Sequence, residues 1–274
     1  MIGDFRQISS ICSKNRIDRI IVALDERRGS LPVEELLMCR LRGINVEDGM
    51  TFTENLTGKL CVESLHPSSI IFSNGISGRF YTSKLKRVFD VIAALIGLLF
   101  FGPLCTLIAV AIKLDSKGPV FYRQKRVGRD GRVFRLLKFR SMVVDAEKNG
   151  PVWAVKNDDR CTRVGKIIRK LRFDEIPQLI NVLKGTMSIV GPRPERPVFV
   201  KKLEKEIPFY YHRHLVKPGI TGWAQIYHPY GATIEDAVEK LKYDLYYIKN
   251  INAVLDLRII SETVKIVLFG KGSR

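Results

Sequence analysis

The chain is short of acid. Its 274 residues hold 28 Asp and Glu against 46 Lys and Arg, a formal charge of +18. The imbalance argues against cationic partners and for anionic ones: nucleic acid, anionic lipid or phosphorylated substrates. Cysteine is sparse. Cys12, Cys39, Cys61, Cys105 and Cys161 are scattered, odd in number and contain no CxxC pair, which argues against a disulfide framework or thiolate metal site and for a reducing compartment. The histidines, His66, His212, His214 and His228, are too dispersed for zinc; His212 and His214 are weak candidates for phosphate neighbours. There is no GxGxxG loop, so no dinucleotide is expected. The opening Met1-Ile2-Gly3-Asp4-Phe5-Arg6 has no apolar run, so no cleaved signal peptide is expected.

One stretch lacks charge altogether. Val91 to Ile112 reads VIAALIGLLFFGPLCTLIAVAI. As a helix it would be about 33 Å long, near the thickness of a hydrocarbon core, and membrane insertion is expected over a buried soluble helix. Both flanks are basic: Lys84, Lys86 and Arg87 before it, Lys113, Lys117, Arg123, Lys125 and Arg126 after it. A simple span should be asymmetric. Pro103 follows Gly102 near the middle, where it removes a helix bond. Two half-helices turning at Gly102-Pro103 would return the chain to the cytoplasmic face; an ordinary kinked span is the alternative. Asp90, at the start, reads as a helix cap or a partner for a nearby Lys or Arg.

Before this segment, Ile17–Leu24 reads as a strand approached by a short helix, Leu31-Pro32 as the start of another helix, and Ile44-Asn45-Val46 as a second strand. That is part of an α/β sheet domain. Gly75–Lys86 looks like a linker. After the apolar segment, Val120–Gln124 and Val133–Phe139 resemble a hairpin around Gly128–Gly131. Gly165–Leu183 reads as two helices meeting near Phe173-Asp174-Glu175 and Pro177, and Thr233–Asn250 and Leu255–Phe269 as two more. Tyr and Lys on these last helices suit either a bilayer interface or the head's own core.

Chemistry concentrates in two places. Asp174 and Glu175 are adjacent carboxylates following Arg169, Lys170 and Arg172, with Gln178 just beyond. Asp174 could be a helix N-cap; an acidic pair can also hold Mg²⁺ or attack phosphorus. In Gly191-Pro192-Arg193-Pro194-Glu195-Arg196-Pro197, three prolines stiffen a loop that presents Arg193, suited to bidentate phosphate binding or to pairing with a local acid. Lys138, Arg140 and Ser141 are further phosphate-contact candidates, and Trp223 is a candidate for stacking, interface anchoring or core.

These motifs stand in a known order. Lys86-Arg87-Val88-Phe89-Asp90, Gly118-Pro119-Val120, Lys125-Arg126-Val127-Gly128, Lys138-Phe139-Arg140-Ser141-Met142, Asp174-Glu175-Ile176-Pro177-Gln178, Val190-Gly191-Pro192-Arg193-Pro194-Glu195 and Gly219-Ile220-Thr221-Gly222-Trp223 follow one another. Over about residues 84–274 the chain resembles the bacterial sugar transferase family, monotopic polyprenyl-phosphate phosphoglycosyl transferases that start exopolysaccharide, capsule or O-antigen units. Pro229-Tyr230-Gly231-Ala232 and Lys242-Tyr243-Asp244-Leu245-Tyr246-Tyr247 resemble its exopolysaccharide-type branch. Phe173 and Thr186 depart from it: many members have Ser or Leu, and Asp, at those places. The Thr puts a cation or helix-capping contact in doubt and leaves the acidic pair untouched.

The resemblance implies an α/β membrane-associated chain with three parts. Residues 1–79 would be a partial Rossmann-like segment, 80–112 a linker and re-entrant membrane helix broken at Gly102-Pro103, and 113–274 a mainly helical cytoplasmic catalytic head with a short β-hairpin and interfacial helices. Longer members carry membrane helices and a complete Rossmann-like domain upstream. It implies transfer of a sugar-1-phosphate from a UDP-sugar to undecaprenyl phosphate at the bacterial inner membrane, releasing UMP. Asp174 would be the nucleophile and Glu175 its dyad partner and Mg²⁺ ligand. Lys138, Arg140, Arg172, Gln178, Arg193 and Glu195 would bind substrate or phosphate, and Lys86, Arg87, Asp90, Gly102 and Pro103 would set the membrane helix. An anionic bilayer and a homodimer are among the expected partners, nucleic acid is not, and the sugar stays open with a lean to a hexose. The competing reading is a non-catalytic scaffold of a polysaccharide assembly complex; others are a nucleic-acid binder, suggested by charge alone, and a different membrane enzyme acting on phospholipid headgroups.

Overall fold

The computed structural model describes residues 3–4, 7–24, 31–62, 84–146, 158–228 and 233–269, with only the backbone of Leu268. His66, Pro229–Ala232 and most of the expected linker lie outside the described residues. The chain divides into two compact units, Met1–Cys61 and Val62–Arg274.

The first unit runs α1 (Ile8–Asn15), β1 (Arg19–Val22), α2 (Val33–Leu41), β2 (Asn45–Asp48) and α3 (Gly49–Thr57). The strands pair in parallel, from Arg19 opposite Asn45 to Val22 opposite Asp48, giving the strand–helix–strand step the sequence predicts. Pro32 is the N-cap residue of α2, and Leu36 and Cys39 supply its buried side. Two strands do not make a Rossmann fold.

The second unit is mostly helical. It begins with α4 (Lys86–Asp115) and the hairpin β3 (Phe121–Val127) and β4 (Val133–Phe139). Then come α5 (Arg163–Lys170), α6 (Gln178–Leu183), β5 (Ser188–Val190), α7 (Pro197–Glu206), β6 (Gly219–Thr221), α8 (Trp223–Tyr227), α9 (Ile234–Lys249) and α10 (Ala253–Phe269). Short 3-10 turns lie at Arg129–Gly131, Phe173–Glu175 and Tyr210–Leu215. The hairpin is antiparallel in full register, reversed where Asp130 and Gly131 both take positive φ. Thr233 and Asp236 close a capping box that starts α9. The pairing of β5 with β6 was not foreseen. It brings Val190-Gly191-Pro192 against Lys217-Pro218-Gly219, where a Cβ on Gly219 would lie 2.1 Å from the Gly191 nitrogen, so this backbone contact requires glycine. Trp223 is core: it is buried, packs near Tyr227 and Tyr246, and lies under the Arg258 guanidinium.

The expected break at Gly102-Pro103 is corrected. α4 is one continuous helix with Pro103 inside it, and it ends at Asp115 rather than 112. A proline forfeits one ladder bond, while the turns on either side keep theirs, so a helix this long bends sooner than it stops. It is long and apolar enough to cross a membrane, and only 11 % of its most apolar window is buried; a soluble core helix would be mostly covered. Leu95, Ile96, Leu99, Phe100 and Leu107 are all exposed.

Both ends of α4 dock on the same unit. At the start, Lys86 pairs with buried Asp256 of α10. Arg87 donates to the Val182 and Leu183 carbonyls at 2.5 and 2.7 Å, satisfying the end of α6. Asp90 accepts from the Ser188 hydroxyl (2.9 Å) and the Ile189 N–H (3.0 Å); it ties the helix to β5 rather than capping it. Farther along, Ala94 packs with Leu136, Val182 and Met187, and Ile108 and Ile112 with Phe139, Ile168 and Phe173. At the end, Asp115 accepts from the Val164 N–H at 3.0 Å.

The Lys86–Asp256 pair gives a stability prediction. Asp256→Ala leaves a buried ammonium without this carboxylate and should cost about 3–5 kcal/mol. Lys86→Met with Asp256→Leu should recover most of that. Thermal unfolding of the detergent-solubilised protein checks both, and a destabilisation equal in the single and double variants would sink the assignment.

Candidate active site

The site is built where the chain reverses between two helices. α5 begins at the Thr162 cap, whose side chain accepts from the Gly165 N–H, and two residues past its end comes Arg172, a non-glycine residue at φ 59°. That left-handed step turns the backbone into Phe173–Glu175 and α6. Phe173 packs against the cluster formed by Ile108 and Ile112 of the apolar helix and Phe139 of the hairpin. Asp174 and Glu175 are therefore held beside that helix. Neither caps α6, whose N-cap, Pro177, has no side-chain bond.

The two carboxylates are treated differently. Oε1 of Glu175 accepts from Lys138 of β4 (2.9 Å) and from Arg193 of the proline loop (2.6 Å). Burial alone would raise its pKa, but Arg193 and then Lys138 outweigh that and hold it well below the ordinary carboxylate range. Glu175 in turn raises the Arg193 pKa, with burial opposing. Asp174 is buried, and its nearest cation is Lys138 at 3.8 Å. Burial pushes its pKa up against the attraction of Lys138. The result is a Glu175 whose charge is held by two cations beside a desolvated Asp174 whose nearest cation among the described residues stands at 3.8 Å, in a setting that Arg169 and Arg172 make more positive.

The other predicted residues divide. Lys138 and Arg193 join the dyad. Gln178 is buried in the first turn of α6. Glu195 takes Arg126 at 3.2 Å and lies in the same loop as Arg193. Arg140 is not brought to the dyad. Its guanidinium donates to the Ser116 carbonyl and hydroxyl (2.8 Å each) and the Lys117 carbonyl (3.1 Å), because a helix end presents unsatisfied carbonyls that attract a cation. His212 Nδ1 lies 3.2 Å from the Phe209 carbonyl, and burial takes the His214 pKa down to about 4, so that buried ring is neutral. Thr186 donates to the Asn181 carbonyl at 3.1 Å and makes a local contact at the end of α6. The sequence does not single out Arg126, Arg213 or Asp244 as site residues, yet Arg126 and Arg213 meet carbonyls of the proline loop and Asp244 meets Arg213; polar residues distant in sequence carry no periodic signal.

Magnesium can be tested against the donors present. Among the described residues no group of three His, Cys, Asp or Glu side chains could hold a metal ion. Mg²⁺ on a diphosphate needs fewer: one or two carboxylates, completed by phosphate oxygens and water. Oε2 of Glu175 and the Asp174 carboxylate accept no hydrogen bond among the described residues. Those oxygens fit the role.

A sequence model described as bacterial sugar transferase matches residues 81–270. The UDP-N-acetylgalactosamine-undecaprenyl-phosphate N-acetylgalactosaminephosphotransferase of Aeromonas hydrophila is 46 % identical over 239 residues, 87 % of this chain and 56 % of that protein. The undecaprenyl-phosphate glucose phosphotransferase of Komagataeibacter xylinus is 38 % identical over 280 residues, 99 % and 52 % respectively. The exopolysaccharide production protein PSS of Rhizobium leguminosarum bv. phaseoli is 42 % identical over 187 residues, 66 % and 93 % respectively. The chain thus spans about half the length of the first two relatives.

Proposed function

The chain belongs to the bacterial sugar transferase family, and from that premise we propose that it transfers a sugar-1-phosphate from a UDP-sugar to undecaprenyl phosphate through a covalent intermediate on Asp174, starting an exopolysaccharide, capsule or O-antigen unit. The observation that carries the mechanism is the division of labour in the dyad. Glu175 takes the hydrogen bonds of the two cations, and buried Asp174 is left as the desolvated carboxylate.

An Asp174 oxygen attacks the β-phosphorus, the bond from that phosphorus to the bridging oxygen breaks, and UMP leaves with the bridging oxygen. The sugar-phosphate rests on Asp174 as an acyl phosphate. An oxygen of the lipid phosphate then attacks the same phosphorus, and Asp174 leaves as carboxylate, giving the polyprenyl diphosphosugar. Arg193 spends one nitrogen on Glu175 and keeps a side chain 38 % exposed, so further guanidinium donors face an incoming phosphate. Lys138 stands between the two carboxylates and adds positive charge where phosphate must approach carboxylate. Mg²⁺, held at Glu175, would offset the charge of the diphosphate.

We read α4 as a re-entrant helix with both ends on the cytoplasmic side of the inner membrane. The support is that Lys86, Arg87 and Asp90 at one end and Asp115 at the other bind the same unit, while the side chains between expose large apolar surfaces. A span would carry one end away from the head. The dyad, next to Phe173 and the second half of α4, would then meet a lipid phosphate at the interface. We read residues 1–79 as the partial Rossmann-like segment and leave self-association as the expected assembly.

The test is UMP release from a panel of UDP-sugars by the full chain in nanodiscs with undecaprenyl phosphate. The expected result is lipid-dependent turnover with one or a few donors, lost on chelation and restored by Mg²⁺. Absence of UMP from every donor would overturn the reading. The relatives' names specify N-acetylgalactosamine in one case and glucose in another, so the panel includes both.

A further inference from the structure

The proline loop has few donors of its own. Pro192, Pro194 and Pro197 lack an N–H, so the loop is fixed chiefly through its carbonyls. Four in succession are met from different directions. The Pro192 carbonyl accepts from the Gly219 N–H at 3.0 Å, and that of Glu195 from the Val127 N–H at 2.9 Å. The Pro194 carbonyl accepts from Arg126 Nη1, and the Arg193 carbonyl from Arg213 Nη2, both at 2.9 Å.

Arg213 differs from the other donors in having a buried support. Its Nη2 also lies 2.8 Å from Asp244 Oδ2 of α9. Its Nη1 donates to the Tyr210 hydroxyl at 2.6 Å, and its guanidinium lies 5.1 Å from the Tyr210 ring centre. Arg213 is 6 % exposed and Asp244 2 %. A buried ion pair is a poor device for stability alone, since an apolar pair of the same volume often does as well. This pair instead ends on the backbone of the residue whose guanidinium meets Glu175.

We propose that Asp244 and Arg213 are positioning residues: they fix the Arg193 carbonyl and thereby hold the Arg193 guanidinium on Glu175. The inference rests on the role given above to Arg193. It makes α9, through Asp244, a support of the dyad.

The test uses the full chain in nanodiscs and the paired substitution Arg213→Met with Asp244→Leu, which removes both charges and keeps the volume. The thermal midpoint should be unchanged or higher, KM for the UDP-sugar unchanged and kcat lower by about 10²-fold, the scale of a small misplacement. In an Arg193→Ala background the same pair should lower kcat no further. Asp244→Asn, which keeps the shape, should give a smaller fall of the same kind. A folded paired variant with normal kcat, or losses that multiply in the Arg193→Ala background, overturns the proposal. If Arg193→Ala itself leaves kcat unchanged, the role of Arg193 fails instead. Amide hydrogen exchange then decides for the pair: faster exchange at Gly191–Arg196 with β5 unchanged supports it, and an unchanged loop overturns it.

Discussion

Asp174→Asn is expected to lower UMP release by at least about 10⁴-fold, the scale on which loss of a nucleophile acts. The amide has the shape of the carboxylate and suits a buried position, so folding should survive. Glu175 keeps Lys138 and Arg193, neither of which depends on Asp174 for its short contact. What is lost is the anionic oxygen that attacks phosphorus. In the wild-type protein, radiolabelled sugar-phosphate should be trapped on the chain when lipid acceptor is withheld, and the Asp174→Asn variant should trap none. Full activity in the variant would remove Asp174 from the mechanism.

The same carboxylate sets the acid limb. Burial raises its pKa above the ordinary 3.8, so the attacking anion is lost as pH falls through a value higher than that of a free aspartate, and kcat should fall there. In stability terms, a raised carboxylate favours the fold when protonated, and that contribution is lost as pH rises. Glu175 works the other way. Its pKa lies below 4.5 in the fold, so its contribution is present above that value and lost as pH falls through the folded one.

Arg193→Ala is the second large effect, about 10²–10³-fold in kcat. It removes the 2.6 Å contact to Glu175 and the positive charge that does most to hold the Glu175 pKa down. It also takes away the guanidinium donors facing the phosphate. Arg193→Lys should restore only part of the rate, because an ammonium cannot serve the carboxylate and a phosphate with a planar fork. Steady-state kinetics on the donor identified by the panel would check both. Equal rates for the Lys variant and wild type would show that point charge suffices.

The sequence alone determined where the chemistry and the apolar segment lie, because both are local. Asp174 and Glu175 are adjacent, Arg193 sits between two prolines, and 22 uncharged residues in a row need no partner to be recognised. The hairpin and the helices around Phe173, at Thr233 and near Leu255 were legible for the same reason: turns, caps and periodicity are written within a few residues. Tertiary structure decided what the cations do. Lys138 and Arg140 are two positions apart in sequence, yet the first meets Glu175 and the second meets carbonyls at the end of α4. Gly191 and Gly219 needed β5 and β6, three-residue strands too short to show a period, before their close contact had a meaning. Lys86 found Asp256 at a separation of 170 residues. A local pattern states which side chains a segment offers; only packing fixes which unsatisfied acceptor lies within reach, and a buried charge must take the one it finds.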